Sequence, residues 1–258
     1  MDAHGAALPH LVCPRIAHGI RVDGDLHKEP WVSIEPLWLV PAHGRDGAPD
    51  AALALRHLAP DAPPLDPEIA FQPTALRLCR DEAHLYVAFQ CVDRDIWGSF
   101  IGRNQPIYTE EVVEAFLASG GDVGHYVELE TSPRGAWFEA RIESPARRRA
   151  GMRVDAEWRC AGWQRAVRVR GRVKTRPGEA LGPIERRAEP PDCWWNVEWA
   201  IPFASLPGGA APRRGDRWRA NFFRIDAARG GQFSAWSPTF EDPPDFHLPE
   251  RFGILEFG

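Results

Sequence analysis

The chain has 258 residues, 44% of them hydrophobic and 26% charged, with 31 basic against 36 acidic side chains and a formal net charge of −5. This is the composition of a folded globular protein. Its apolar runs fall far short of the roughly 20 residues that span a bilayer, so no membrane partner is expected, and the acidic balance lacks the positive field of a dedicated nucleic-acid binder.

From the N-terminus, Met1-Asp2-Ala3-His4-Gly5 carries an acid where a secretory leader is basic, and Pro9 with His10 interrupts the apolar stretch that follows. Five cysteines, an odd number with no CxxC spacing, do not form a disulfide scaffold. Together these predict a cytoplasmic protein with reduced thiols. The 23 glycines and 25 prolines are spread along the whole chain, and the short segments between them are enriched in Val, Ile, Phe, Tyr and Trp, which is an all-β rhythm. Residues 41–73, rich in Ala, Pro and Asp, read as a long surface insertion with at most a short helix near 51–57.

Residues 76–78 and 85–92 read as two strands joined by the polar turn Arg80-Asp81-Glu82-Ala83-His84, the second apolar enough to be buried on both faces. In the stretch from Arg103 to Leu117, a strand over its latter half places Glu114 on one face with Val112 and Phe116. A carboxylate in an apolar row needs a partner, either Arg103 or the vicinal hydroxyls of a sugar, and a plain ion pair at a sheet edge is the structural alternative. In Tyr126-Val127-Glu128-Leu129-Glu130 the alternation points Val127 and Leu129 to a core and leaves Tyr126, Glu128 and Glu130 on a polar face.

Further strands are expected over 136–142, 164–174, 195–200, 218–225 and 253–257, with a second Pro- and charge-rich loop over 177–191. About ten strands predict an antiparallel β-sandwich, jelly-roll-like with long loop insertions, in which one domain spans 1–258 around a core of about 20–257. Valines 167, 169 and 173 share one face and arginines 168, 170 and 172 the other, the pattern of a half-solvated strand. Among the eleven tryptophans, Trp31, Trp195, Trp199 and Trp218 fall at strand positions and belong to the core. Trp236 lies instead in a loop-like Gly230–Pro238 context, where its ring can face a pyranose or be buried.

Nine histidines show no metal-ligand spacing, and the chain has no phosphate-binding loop, dinucleotide fingerprint or GxSxG elbow. Carboxylates and aromatics remain as the carriers of function. Their ordered arrangement resembles that of the family 9 carbohydrate-binding modules. The elements are Asp23-Gly24-Asp25-Leu26 with Glu29 and Trp31; the hairpin from Asp81 to Phe89; Tyr108 to Leu117; Trp199-Ala200-Ile201-Pro202; Gly215 with Trp218, Asn221 and Arg224; Trp236; and Pro249-Glu250-Arg251-Phe252-Gly253.

The resemblance implies a β-sandwich that clamps one sugar at the end of a glucan- or xylan-derived chain between two aromatic rings, here Tyr108 and Trp236. Polar contacts would come from Glu111, Glu114, Glu128, Asn221, Arg224 and Arg103. Where the family pattern carries an arginine and an asparagine, this chain has Glu128 and Glu130. Members also carry structural calcium, for which Asp93 and Asp95 would supply oxygens; no other cofactor is implied. Two other functions share these residues: a glycoside hydrolase using the clustered glutamates, and an interaction module whose sugar site has decayed. Haem binding is disfavoured, since Met1 and Met152 are the only methionines and no axial histidine arrangement is evident.

Overall fold

The computed structural model describes residues 7–44, 51–59, 71–179 and 193–258. The strands are β1 (His10–Cys13), β2 (Leu37–Trp38), β3 (Val40–Pro41), β4 (Thr74–Arg80), β5 (His84–Val92), β6 (Val112–Ala118) and β7 (His125–Thr131). They continue as β8 (Trp137–Glu143), β9 (Arg153–Asp155), β10 (Gln164–Arg170), β11 (Trp194–Pro202), β12 (Arg217–Asp226), β13 (Gln232–Ala235) and β14 (Gly253–Phe257). Helix α1 (Ala51–Leu58) falls in the insertion, and no helix among the described residues is long and apolar enough to cross a membrane. Parts of both expected loops, 45–50, 60–70 and 180–192, lie outside the described residues.

Two sheets form the sandwich. Among the described residues the larger has nine strands, running β1-β14-β12-β6-β7-β8-β9 with β13 beside β12 and β3 beside β13; the smaller has five, running β10-β11-β5-β4-β2. Strand β5 is buried along nearly its whole length because β4 and β11 flank it and apolar layers cover both its faces, as its continuous apolar sequence predicts. The layer between the sheets contains Phe89, Val113, Leu129, Trp195, Trp199 and Phe222. All five cysteines are buried and none is in a disulfide, and burial pushes the Cys91 thiol up to about 12, so it is unreactive at neutral pH.

The N-terminal Asp23-Gly24-Asp25-Leu26 motif has a physical reason. The buried carboxylate of Glu198 on β11 accepts from the backbone N–H groups of Asp23 and Gly24 and from Trp31 Nε1, at 2.8–2.9 Å, and Lys28 Nζ lies 3.0 Å away. Gly24 turns at φ 77°, and a Cβ there would meet the β10 backbone at 3.1 Å.

One expectation is corrected. The outward face of β6 and β7 is not solvated: Tyr126, Glu128 and Glu130 are 1%, 6% and 0% exposed. A second apolar layer covers this face, formed by Phe116, Tyr126, Phe223, Phe246 and Phe252 with Ile107, as segments distant in sequence fold back over the sheet.

Candidate functional site

The register of the large sheet sets one row of outward side chains across four strands: Phe138 on β8 faces Glu130 on β7, Glu130 faces Glu114 on β6, and Glu114 faces Phe223 on β12. Phe138 and Phe223 are therefore three strand spacings apart, roughly 14 Å, with carboxylates between them. Glu128, two residues along β7, joins the pair from the next row.

Above this row lies a cavity of about 630 Å³, within the ~300–1,000 Å³ range of small-molecule sites. Tyr108 stands at its rim, 47% exposed, with its ring edge-on to Phe138 at 5.9 Å. The other flank is built from Phe233 on β13 and from Phe246, which stacks on Phe223 at 4.0 Å and 12°. Glu114 and Glu128 form the floor, and Arg149 and His247 add polar groups to the wall.

The floor is electrostatically unusual. One carboxylate oxygen from each of Glu114, Glu128 and Glu130 lies within 4.8 Å of the other two. Burial raises all three carboxyls, with Glu128 moved to about 7. His247 stacks against Phe116 and bonds Tyr126 Oη through Nδ1 at 2.8 Å; burial pushes its imidazole down to about 4, so the ring is neutral at pH 7. Its Nε2 lies 4.0 Å from Glu128 Oε1.

The structure thus brings together Tyr108, Glu114 and Glu128, and separates the other expected site residues from them. Trp236 belongs to the core between the sheets, 7% exposed, with its ring 5.8 Å from that of Phe222. It is not the second plate of a slot with Tyr108, because β13 runs on from Ala235 with Trp236 directed inward. Asn221 is buried, donating from Nδ2 to Ser237 O and accepting from Ser237 N through Oδ1, so it fastens that segment rather than facing a ligand. Arg103 pairs with Glu139 at 2.7 Å and donates to Trp158 O, not to Glu114.

Arg224 and Glu111 point inward by strand alternation, into a charged cluster between the sheets. Arg224 Nη2 donates to Asp93 Oδ2 at 2.9 Å and lies 3.5 Å from Asp226 Oδ2, while Nη1 donates to Val92 O at 2.8 Å. Asp93 also accepts from Trp195 Nε1, and Asp95 accepts from Lys174 Nζ and Gly178 N, all at 2.8–3.0 Å. The expected calcium does not fit at Asp93 and Asp95: their oxygens are already engaged by cations and N–H donors, and an incoming Ca²⁺ would face Arg224 and Lys174.

Glu111 is fully buried beside this cluster, facing the carboxyls of Asp93 and Asp226 with no N–H donor of its own, and burial followed by the charge of Asp93 raises its carboxyl well above the ordinary range. A raised acid contributes stability that is present below its unfolded pKa and lost as pH rises through the folded one. Glu111→Gln is therefore expected to raise stability at pH 8, by about 1–3 kcal/mol, with the gain shrinking at pH 5. Thermal melts of both proteins at the two pH values check this.

Phe138, Phe233, Phe246, Arg149 and His247 are cavity residues that the sequence reading did not select. A signal for Phe233 was present: in Gln232-Phe233-Ser234-Ala235-Trp236, positions 233 and 236 have opposite strand parity, so only one of the two rings can face outward.

Residues 61–257 match the family model for carbohydrate-binding family 9. A curated relative, an extracellular protein of Arthroderma benhamiae, is 24% identical over 194 residues, covering 72% of this chain and 79% of that one. Among solved structures, a candidate carbohydrate-binding protein of Bacteroides uniformis superposes with a TM-score of 0.67 at 16% identity, covering 98% of this chain and 100% of that one. A family 9 module of Caldicellulosiruptor kristjanssonii aligns in its glucose complex with TM-score 0.58 at 14% identity, over 97% and 96% of the two chains. In its cellotriose complex the values are 0.57 and 13%, over 96% and 93%. At these identities the structural likeness speaks for the fold.

Proposed function

The chain belongs to carbohydrate-binding family 9, and from that premise we propose that the cavity over the large sheet holds the end of a glucan- or xylan-derived sugar chain, without catalysis. The observation that carries this reading is the row of aromatics on both flanks of a carboxylate floor, open to solvent at Tyr108. Tyr108 and Phe138 offer one set of apolar faces and Phe233 and Phe246 another, and a pyranose presents C–H faces to such rings. Glu114 and Glu128 accept hydrogen bonds from vicinal hydroxyls, and Arg149 can donate. A small sugar buries little apolar area and must shed water from its hydroxyls, so affinity is modest.

The glycosidase alternative is disfavoured by the family, which is one of carbohydrate-binding modules.

Titration calorimetry with glucose, cellobiose, cellotriose and xylobiose tests the proposal. Tyr108→Ala and Phe233→Ala are each expected to weaken binding about tenfold or more, the scale of a lost aromatic anchor. Tyr108→Ala should leave the melting temperature unchanged, because that ring is half exposed. Absence of binding to every sugar tried, or full affinity in both variants, would refute the reading.

A further inference from the structure

Three buried glutamates under the cavity have no Lys or Arg in ion-pair contact among the described residues, unlike Glu198 and Glu139. Glu198 is met by Lys28, two backbone N–H groups and an indole; Glu139 is met by Arg103, Trp137 Nε1 and Cys160 N. Glu130 is 0% exposed, and no donor from outside the cluster meets either of its oxygens. Among the described residues no Lys or Arg nitrogen comes within 4.0 Å of Glu114, Glu128 or Glu130; the one such contact is His247 Nε2, at that limit from Glu128 Oε1. Glu114 and Glu130 are directly opposed across a strand pair, where like charges repel at closest range.

We propose that Glu114, Glu128 and Glu130 hold a divalent cation of calcium size at the floor of the cavity. Two oxygens on opposite sides of a Ca²⁺ bound at about 2.4 Å are about 4.8 Å apart. One oxygen from each of the three carboxylates lies within that span of the others, close enough for one ion to draw on all three. Glu130, buried and met by no donor from outside the cluster, closes the site from beneath, while Glu114 and Glu128 open onto the cavity and give the ion a way in.

An all-carboxylate donor set suits a hard cation and not zinc or copper, which favour imidazole and thiolate. A hard cation takes six to eight oxygens, so positions facing the cavity remain for water or for ligand hydroxyls. The site is separate from Asp93 and Asp95, whose oxygens are occupied. It shares its cavity with the carbohydrate reading and does not require a sugar to be bound.

The test is calorimetric titration of CaCl₂ into EDTA-stripped, desalted protein, with melting temperature followed in parallel, for the wild type, Glu130→Gln and Glu114→Gln. The expected result is one ion per chain, a melting temperature that climbs with calcium, and affinity at least about tenfold weaker in either variant. Glu130→Gln removes a buried charge and keeps the shape, so it should fold in EDTA at least as well as the wild type; Glu114→Gln gives a second measurement of the same site. No binding up to about 10 mM calcium, or undiminished wild-type affinity in both variants, would overturn the proposal and leave the carboxyls sharing protons instead. Sugar titrations of the same stripped samples separate the two readings. Sugar bound with no calcium response overturns the cation site alone, whereas calcium bound at these glutamates with no sugar recognised supports it and overturns the carbohydrate reading.

Discussion

Trp236→Ala is expected to cost about 3–5 kcal/mol of folding stability, the range for emptying a large aromatic site in a packed core. The indole lies between the sheets against Phe222, and a Cβ placed on Gly253 would come within 2.6 Å of its ring. The closing Gly253 is thus explained as the residue that lets β14 approach the indole. Domains of this size hold only about 5–15 kcal/mol in total, so the variant would lose a large share of its margin. Urea denaturation measures the loss, and sugar titration at a temperature where the variant remains folded measures the site. A variant with normal stability and abolished sugar affinity would return Trp236 to the clamp. The contrast is Tyr108→Ala, for which the opposite pair of results is expected.

Arg224→Met should be comparably damaging, about 3–5 kcal/mol, for an electrostatic reason. The guanidinium is 1% exposed and is the cation against which Asp93 and Asp226 are buried, with Glu111 beside them. Methionine fills much of the volume and restores none of the charge. Burial already holds the Asp226 carboxyl at about 6, above its ordinary value. A raised acid favours folding below its unfolded pKa, and that contribution is lost as pH rises through the folded value. The penalty should therefore be smaller at pH 5 than at pH 8, and Asp226→Asn in the Arg224→Met background should recover part of it. Denaturant melts at both pH values give the comparison; a penalty independent of pH would show that packing, not charge, dominates at this position.

Much of the framework was legible because strand periodicity is local. Val113, Ala115 and Leu117 against Val112, Glu114 and Phe116 assign two faces to β6 without any knowledge of its neighbours, and the hairpin of β4 and β5 follows from its polar turn. In that turn Asp81 Oδ1 accepts from the N–H groups of Ala83 and His84 at 2.7 Å, which is why an acid stands there. The same periodicity marked Glu114 as a carboxylate set among apolar side chains. It did not reveal what lies above that face. An outward Glu128 or Glu130 reads as solvated unless Ile107, Phe246 and Phe252, remote in sequence, are known to fold over it.

Partners were less legible than faces. Arg103 was an available match for Glu114 by charge, yet Glu139 on β8 takes it, because Asn104 N donates to Trp137 O and fixes the loop beside β8. Asp93 and Asp95 have the composition of calcium ligands, but Arg224 arrives from β12 and Lys174 from the segment after β10 to claim their oxygens.

What the sequence alone determined was the alternation of strands and turns, and with it the sandwich, the identity of the inward rows and the presence of carboxylates where apolar groups were due. These follow from backbone geometry that acts over a few residues. Tertiary structure alone decided which rings face one another, which acids acquire a countercharge and which face of the sheet is capped. Each of those depends on strands and loops meeting across many residues of chain, where hydrogen-bond register and close packing, not local pattern, choose the neighbour.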